Sequence, residues 1–203
     1  PGTFAFAAPA TKPAAGVAAH AVVFFPEDPI IYVSVTGAVD VAVAQATPEI
    51  FAWPTATPLT YGQSLHESTL GNGWASTTGT FAFVNPDDTP DIGTASHSVV
   101  FSPVDAANFL AVTGSVSVAV GKATPTVSTW PESSPLYRGQ TLAESTLSGG
   151  NASVAGSFAF TTPTLKPDIG NAPQAVRFTP DDITHYLTVD DAVAVLVVSA
   201  LEI

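Results

Sequence analysis

Apolar and polar residues alternate in short runs along most of this 203-residue chain. Val39, Val41 and Val43 enclose Asp40 and Ala42, and Val116, Val118 and Val120 enclose Ser117 and Ala119. Successive side chains of a strand point to opposite faces, so this spacing of two predicts strands with one buried face. Phe4 and Phe6 flank Ala5 in the same way. In Ser98-Val99-Val100-Phe101, Val99 and Phe101 return as Val176 and Phe178, while Val100 returns as Arg177. The first pair is therefore expected toward the core and its neighbour toward water. Strands of about five to ten residues, separated by Pro/Gly/Asp clusters, predict an all-β chain of β-sandwich units. One stretch departs from this pattern. Ser64-Leu65-His66-Glu67 and Thr141-Leu142-Ala143-Glu144 both fit a capping box, in which the glutamate satisfies a free N–H of the helix start. Leu70 and Leu147 follow, then Gly71 and Gly149-Gly150 as stops, which predicts one short helical turn per unit, held by its leucines.

The pattern also repeats. Gly2-Thr3-Phe4-Ala5-Phe6 returns as Gly79-Thr80-Phe81-Ala82-Phe83 and as Gly156-Ser157-Phe158-Ala159-Phe160. Pro13, Pro90 and Pro167 keep the same interval, as do Trp53 with Trp130 and Ala46-Thr47-Pro48 with Ala123-Thr124-Pro125. The period is about 77 residues without insertion, and about 36 of 77 positions are identical between the two full copies. With Ala-Thr-Pro opening each unit, the expected domains are a partial repeat over 1–45 that lacks its first strands, a repeat over 46–122 and a repeat over 123–203. The partial copy is expected to leave an open sheet edge or exposed core. The connections Val43-Ala44-Gln45-Ala46-Thr47-Pro48 and Val120-Gly121-Lys122-Ala123-Thr124-Pro125 pass almost directly from one unit to the next. Proline fixes φ and biases its predecessor to extended geometry, so the junctions are expected to be stiff and the array a semi-rigid rod.

The ordered set of motifs is Ala-Thr-Pro, Trp-Pro, Pro-Leu, Tyr-Gly-Gln-x-Leu, Glu-Ser-Thr-Leu, Gly-(Thr/Ser)-Phe-Ala-Phe, Pro-Asp-Ile-Gly and Phe-(Ser/Thr)-Pro. It resembles the bacterial immunoglobulin-like tandem repeats of large cell-surface and adhesin-like proteins. The resemblance covers the whole chain and implies Ig-like β-sandwich repeats, an extracellular location and a spacer or adhesion role. Some related surface repeats are β-grasp-like, an alternative that the short helical turn would also fit. The third unit reads Tyr137-Arg138-Gly139-Gln140 where the second reads Thr60-Tyr61-Gly62-Gln63. A slip of one place moves the tyrosine to the other face, so the two rings are expected to pack differently.

Composition narrows the function. Five cations against 17 acids give a net charge of −12, which removes the electrostatic footprint of a nucleic-acid binder and of docking on anionic lipid. No apolar run reaches the length of a membrane span, so no membrane insertion is expected in this segment. Without cysteine there is no disulfide, no thiol nucleophile and no thiolate metal site. His20 and His97 are equivalent, but Gln174 stands in the third unit; His66 becomes Ala143, and His185 replaces Asn108. These are read as solvated or strand-end histidines, not as a metal site or a catalytic triad. Pro90-Asp91-Ile92-Gly93 and Pro167-Asp168-Ile169-Gly170 are read as turns rather than as an aspartic-protease pair, because Pro presets φ and Gly takes positive φ. Asp87-Asp88, Asp181-Asp182 and Asp190-Asp191 could take weakly bound Ca²⁺, though none follows a calcium-loop pattern; no other cofactor is expected.

Trp53 and Trp130 precede proline at equivalent positions and are read as core. Trp74 becomes Asn151 in the next unit and sits beside Gly71-Asn72-Gly73, so it is expected at the surface as the one candidate ligand-binding residue, for a glycan. In Val193–Val198 bulk falls on both faces, which points to contact with a further domain or chain. The leading functional reading is a non-enzymatic structural spacer. The alternative is a module binding carbohydrate or a partner protein, self-association included. The expected partners are flanking repeats of the same protein, neighbouring chains or surface glycans.

Overall fold

The computed structural model describes residues 1–199. It is all-β, with 52% strand and 3% helix, so the β-grasp alternative lacks the helix it would lay across its sheet. The chain gathers into two compact units. One contains Pro1–Ala56, Thr69–Pro86 and Ser96–Ser117; the other contains Thr57–Ser68, Asp87–Ala95 and the chain from Val118 onward. The middle sequence repeat thus contributes to both.

The third sequence repeat lies wholly in the second unit and shows the design in full. Its central strand Gly170–Pro180 pairs antiparallel with Gly156–Phe160, where Phe158 faces Phe178, and with Val189–Val198, where Arg177 faces Asp190. The short strand Leu136–Tyr137 then adds parallel to the end of Val189–Val198, Leu136 opposite Val197. This four-stranded sheet is one layer of an Ig-like β-sandwich. The other layer is made of two short antiparallel pairs, Val127–Thr129 with Asn151–Ala152 and Glu132–Ser133 with Leu147–Ser148.

The alternation seen in the sequence is the cause of this layering. Val193, Val195 and Val197 project from one face and are buried, as are Val176 and Phe160 on neighbouring strands, and Leu136 and Leu142 close over them. Arg177 on the opposite face stays in water and grips Asp190 with two hydrogen bonds of 2.7 and 2.8 Å. Burying one such aliphatic side chain contributes roughly 1.5–3 kcal/mol, so these few residues dominate the stability of the repeat.

The expected helical turns are 3₁₀ turns, Leu65–Glu67 and Leu142–Glu144. Three residues are too few to hold themselves, and the capping box supplies part of the hold. The Glu67 carboxylate accepts the Ser64 N–H at 2.9 Å, and Glu144 accepts the Thr141 N–H at 2.6 Å. That backbone bond holds the Glu144 carboxyl below its ordinary range. Leu65 and Leu142 donate their N–H groups to Asp88 and Leu165 at 2.9 Å, and both leucine side chains are buried. The turn is therefore a plug, pinned by its polar groups and sealed by its leucine.

The first unit carries the antiparallel sheet Gly2–Phe6, Gly16–Pro26 and Val35–Val43, with Phe4 opposite Phe24 and His20 opposite Val39. It also carries the pairing of Gly79–Phe83 with the later part of the strand Gly93–Pro103, Phe81 opposite Phe101. In the second unit, Leu59–Thr60 pairs parallel with the end of Val112–Gly121, as its third-repeat counterpart does. The glycine that opens each Gly-x-Phe-Ala-Phe motif has a packing reason: a Cβ on Gly79 would lie 2.4 Å from the Phe101 ring. Gly93 and Gly170, at the ends of the Pro-Asp-Ile-Gly turns, have φ of 117° and 130°, a region that L side chains rarely adopt.

Trp53 and Trp130 are half-buried at the core margin rather than deep inside it. Each packs edge-on against a motif phenylalanine, Phe81 at 5.9 Å and Phe158 at 5.6 Å between centroids. Leu196, on the face opposite the core valines, is exposed.

Removing the plug leucine should cost far more than trimming an exposed one. Leu142→Ala is expected to destabilise by about 2–5 kcal/mol, and Leu196→Ala by no more than about 0.5 kcal/mol. Guanidinium midpoints of the two variants check this, and equal shifts would show that Leu142 is not the closing contact.

Candidate functional site

A cluster of polar and aromatic side chains lies where the second sequence repeat meets the third, within the second compact unit. Its centre is His185, in the loop before the strand Val189–Val198. Nδ1 of His185 lies 2.6 Å from Oδ2 of Asp182 in the same loop, and Nε2 lies 2.9 Å from Oδ1 of Asp91 in the Pro-Asp-Ile-Gly turn of the preceding repeat. The Tyr61 ring stacks on the imidazole at 4.2 Å and 25°, and meets Tyr186 edge-on at 5.7 Å. Two carboxylates facing one imidazole favour its charged form. The bond to Asp182 raises the His185 pKa first of all, and Asp91 adds to it against some desolvation. The same contact lowers the Asp182 pKa.

Backbone and a lysine finish the joint. Ala123 donates its N–H to the His185 carbonyl and accepts from the Leu187 N–H, both at 2.9 Å. Lys122 Nζ donates to the Ile183 carbonyl at 2.5 Å. The connection is thus no free linker: Lys122 and Ala123 are both tied to the loop of the repeat they enter.

The first junction, within the first unit, has the same plan with side-chain amides in place of the imidazole and the lysine. Ala46 donates to the Asn108 carbonyl at 2.8 Å and accepts from Leu110 at 2.9 Å, and Gln45 Nε2 takes the place of Lys122 by donating to the Ala106 carbonyl at 2.7 Å. Asn108, equivalent to His185, donates from Nδ2 to Asp105 at 2.8 Å and accepts the Ala15 N–H of the preceding turn at 2.7 Å. In both junctions one side chain bridges its own loop aspartate to the preceding Pro-x-x-Gly turn. From the sequence, the exchange of Asn108 for His185 reads as a solvated or strand-end histidine. It is a change of chemistry at a retained role, and the sequence signal was the shared Asp-x-x-Asn/His spacing.

The remaining candidates are dispersed. His66 is exposed in its 3₁₀ turn. His20 and His97 are mid-strand and half-buried, each with a buried Nε2 that makes no hydrogen bond, so neither is the solvated histidine expected. Asp190 is held by Arg177 and Asp182 by His185, which leaves those acidic pairs partly engaged. Among the described residues no group of three or more His, Cys, Asp or Glu side chains is placed to hold a metal ion. The displaced tyrosine does pack differently: Tyr61 is in the joint, whereas Tyr137 is exposed.

Trp74 is 61% exposed, in the strand Trp74–Ala75 that pairs with Ile50–Ala52. Its ring lies against that of Phe51, itself 48% exposed, with centroids 4.6 Å apart and planes tilted by 39°. Asn72, just before it, has a φ of 62°, a left-handed turn that brings the strand back. The third repeat has no counterpart, since Asn151 there donates to Ser128 at 2.8 Å.

No protein-family profile matches the chain, and no curated protein matches it. Among solved structures it is similar to Drosophila N-cadherin EC1-3, at 10% identity over 91% of this chain and 78% of that one, with a TM-score of 0.29. It is similar to Drosophila N-cadherin EC1-4 at 10% identity over 90% and 58%, with a TM-score of 0.26. A third likeness is to Sidekick-1 immunoglobulin domains 1-5, at 13% identity over 92% of this chain and 48% of that one, with a TM-score of 0.33. The chain spans about half the length of the latter two. At these scores the reading of the site rests on the chain's own geometry.

The charged joint should titrate. A raised histidine pKa stabilises the folded state fully below the ordinary value of about 6.5 and loses that contribution as pH rises through the elevated value. A depressed aspartate pKa contributes above about 3.9 and is lost as pH falls through the lowered value. The second junction is thus expected to be firmest from roughly pH 4 to 6.5 and to loosen above it. His185→Asn, which copies the first junction, should flatten the alkaline limb. Imidazole NMR titration with melting midpoints from pH 5 to 9 checks both, and an unperturbed His185 would contradict the geometry.

Proposed function

We propose that this chain is a spacer segment of a repetitive extracellular surface protein of adhesion type, in which repeats are stacked and locked rather than strung on flexible linkers. The observation that carries this reading is the matched construction of the two junctions. Each has Ala-Thr-Pro docked by two backbone bonds, a reaching side chain (Gln45 or Lys122) and a bridging one (Asn108 or His185). A module whose work is catalysis does not need its joints built twice to one plan. One that holds something at a fixed reach does. The acidic surface keeps such an array soluble and unattached to nucleic acid. Location at a cell surface and membership of a long array follow from the motif resemblance and belong to the same proposal.

The absence of cysteine makes the test direct. Nitroxide labels on His66→Cys and Ser148→Cys, both exposed and on opposite sides of the second junction, report the distance across it. A single narrow distribution at pH 6 is the expected result. A broad one, as a flexible tether gives, would remove the spacer reading.

The Trp74–Phe51 pair supports a second reading, a glycan-binding surface on this same segment. An exposed, tilted aromatic pair offers the apolar platform on which a sugar ring packs its C–H face. On a glycan array, the full chain is then expected to retain at least one saccharide whose binding falls roughly tenfold with Trp74→Ala. An array without a binder for the wild-type chain would end this reading and leave the spacer untouched.

A further inference from the structure

The second repeat turns its chain at Gly71-Asn72-Gly73, a corner between two short strand pairs of the first unit. Leu70–Gly71 pairs with Thr55–Ala56 before the corner, and Trp74–Ala75 pairs with Ile50–Ala52 after it. Asn72 is exposed and is the one non-glycine residue with a positive φ among the described residues. Its equivalent in the third repeat is Gly149, with a φ of 79°. The corner thus calls for a left-handed residue, and asparagine is among the few side chains that tolerate that shape. Gly73 is fixed by packing instead: a Cβ there would lie 2.8 Å from the Phe81 ring and 3.1 Å from Pro54. One demand admits asparagine and the other requires glycine, so the fold sets the two side by side at the surface. The carboxamide is held there. Asn72 Nδ2 donates to Thr55 Oγ1 at 3.1 Å, and Thr55 Oγ1 donates to the Gly71 carbonyl at 3.3 Å.

We propose that Asn72 is a site of spontaneous covalent modification, deamidated through Gly73 and restrained by the bond to Thr55. Gly73 has no side chain to crowd the approach of its nitrogen to Asn72 Cγ. That N–C bond forms, the Cγ–Nδ2 bond breaks, and ammonia departs with the proton of the Gly73 N–H. Water then opens the resulting succinimide ring to aspartate or isoaspartate. Either product carries a new negative charge. Isoaspartate also lengthens the main chain by a methylene, so the corner no longer fits the two strand pairs. Trp74, two residues on, then loses its register with Ala52 and its place against Phe51. Ring closure requires the carboxamide to swing away from Thr55, which makes that hydrogen bond a brake on the reaction. The other asparagines each lack a part of this arrangement. Pro86 after Asn85 has no N–H to use. Asn108 is held by Asp105 and Ala15, and Asn151 by Ser128. Asn171 lies in a paired strand and is followed by Ala172, whose methyl crowds the attack.

The test ages the full chain in warm, mildly alkaline buffer and maps it by peptide mass spectrometry, with isoaspartate read by enzymatic methylation. The mass gain of an amide turned acid is expected at Asn72 before any other asparagine, and is expected to vanish in Asn72→Gly, which copies the third repeat. Thr55 is exposed, so Thr55→Val keeps the fold while removing the acceptor, and it should speed the reaction several-fold. In guanidinium, where that bond is gone, the wild-type and Thr55→Val chains should age alike. The indole N–H signal of Trp74 should shift in the aged wild-type chain. An Asn72 that keeps its amide as long as Asn171 does overturns the proposal, and so does a folded Thr55→Val chain that ages no faster than the wild type.

Discussion

Everything in this chain depends on covering one apolar sheet face. A strand pair with alternating valines is only half a solution, since its buried side needs a second layer. In the third repeat that layer is slight: two pairs of two- or three-residue strands and one turn of 3₁₀ helix. So thin a cover works because it is pinned at its polar points. Glu144 caps the turn, Leu165 receives the Leu142 N–H, and Ser145 donates to the Ser134 carbonyl at 2.7 Å. With those groups satisfied, Leu136 and Leu142 enter the core without leaving unpaired backbone behind.

The joints follow from the same economy. Because a repeat closes with its last strand and the next opens with Ala-Thr-Pro, there is no length of chain to spare for a tether. The incoming backbone docks as a parallel bridge, Ala46 beside Phe109 and Ala123 beside Tyr186. The Pro-x-x-Gly turn of the preceding repeat is then within reach of one side chain from the loop, and that reach sets the chemistry. Asparagine meets a backbone N–H at Ala15, whereas histidine meets a carboxylate at Asp91. The turn motif, read from the sequence as mere punctuation, is also the receiving half of the joint.

What could be read in advance was local. Period-two valines gave the buried faces of the second and third repeats, though not of Val39, Val41 and Val43, Ser/Thr-x-x-Glu gave the 3₁₀ turns, and the loss of Trp74 in the next repeat gave its exposure, because each signal lies within a few residues or at one repeat interval. The joint could not be read in this way. Asp91 and His185 are 94 residues apart, and comparison by repeat aligns them with Ala14 and Asn108, which form no ion pair. Comparing repeats detects retained residues, whereas the joint retains a role and changes the residue. The half-buried His20 and His97 were misjudged for a related reason. Their polarity argued for solvent, but a mid-strand place in the ladder decides position before side-chain preference does.

The two kinds of contact differ in strength, and the order in which they yield follows. The joint at His185 is made of side chains at or near the surface, where water and salt compete with every hydrogen bond and ion pair. The plug at Leu142 is fully buried, and opening it exposes valines and phenylalanine together. In a spacer of the kind proposed above, a mechanical or chemical disturbance would therefore meet the joints first and the cores afterwards. Such a spacer would have two regimes, one in which its joints open while the repeats stay folded and one in which the repeats unfold. Protonation of His185 shifts the first at the second junction, where the first junction carries Asn108 instead.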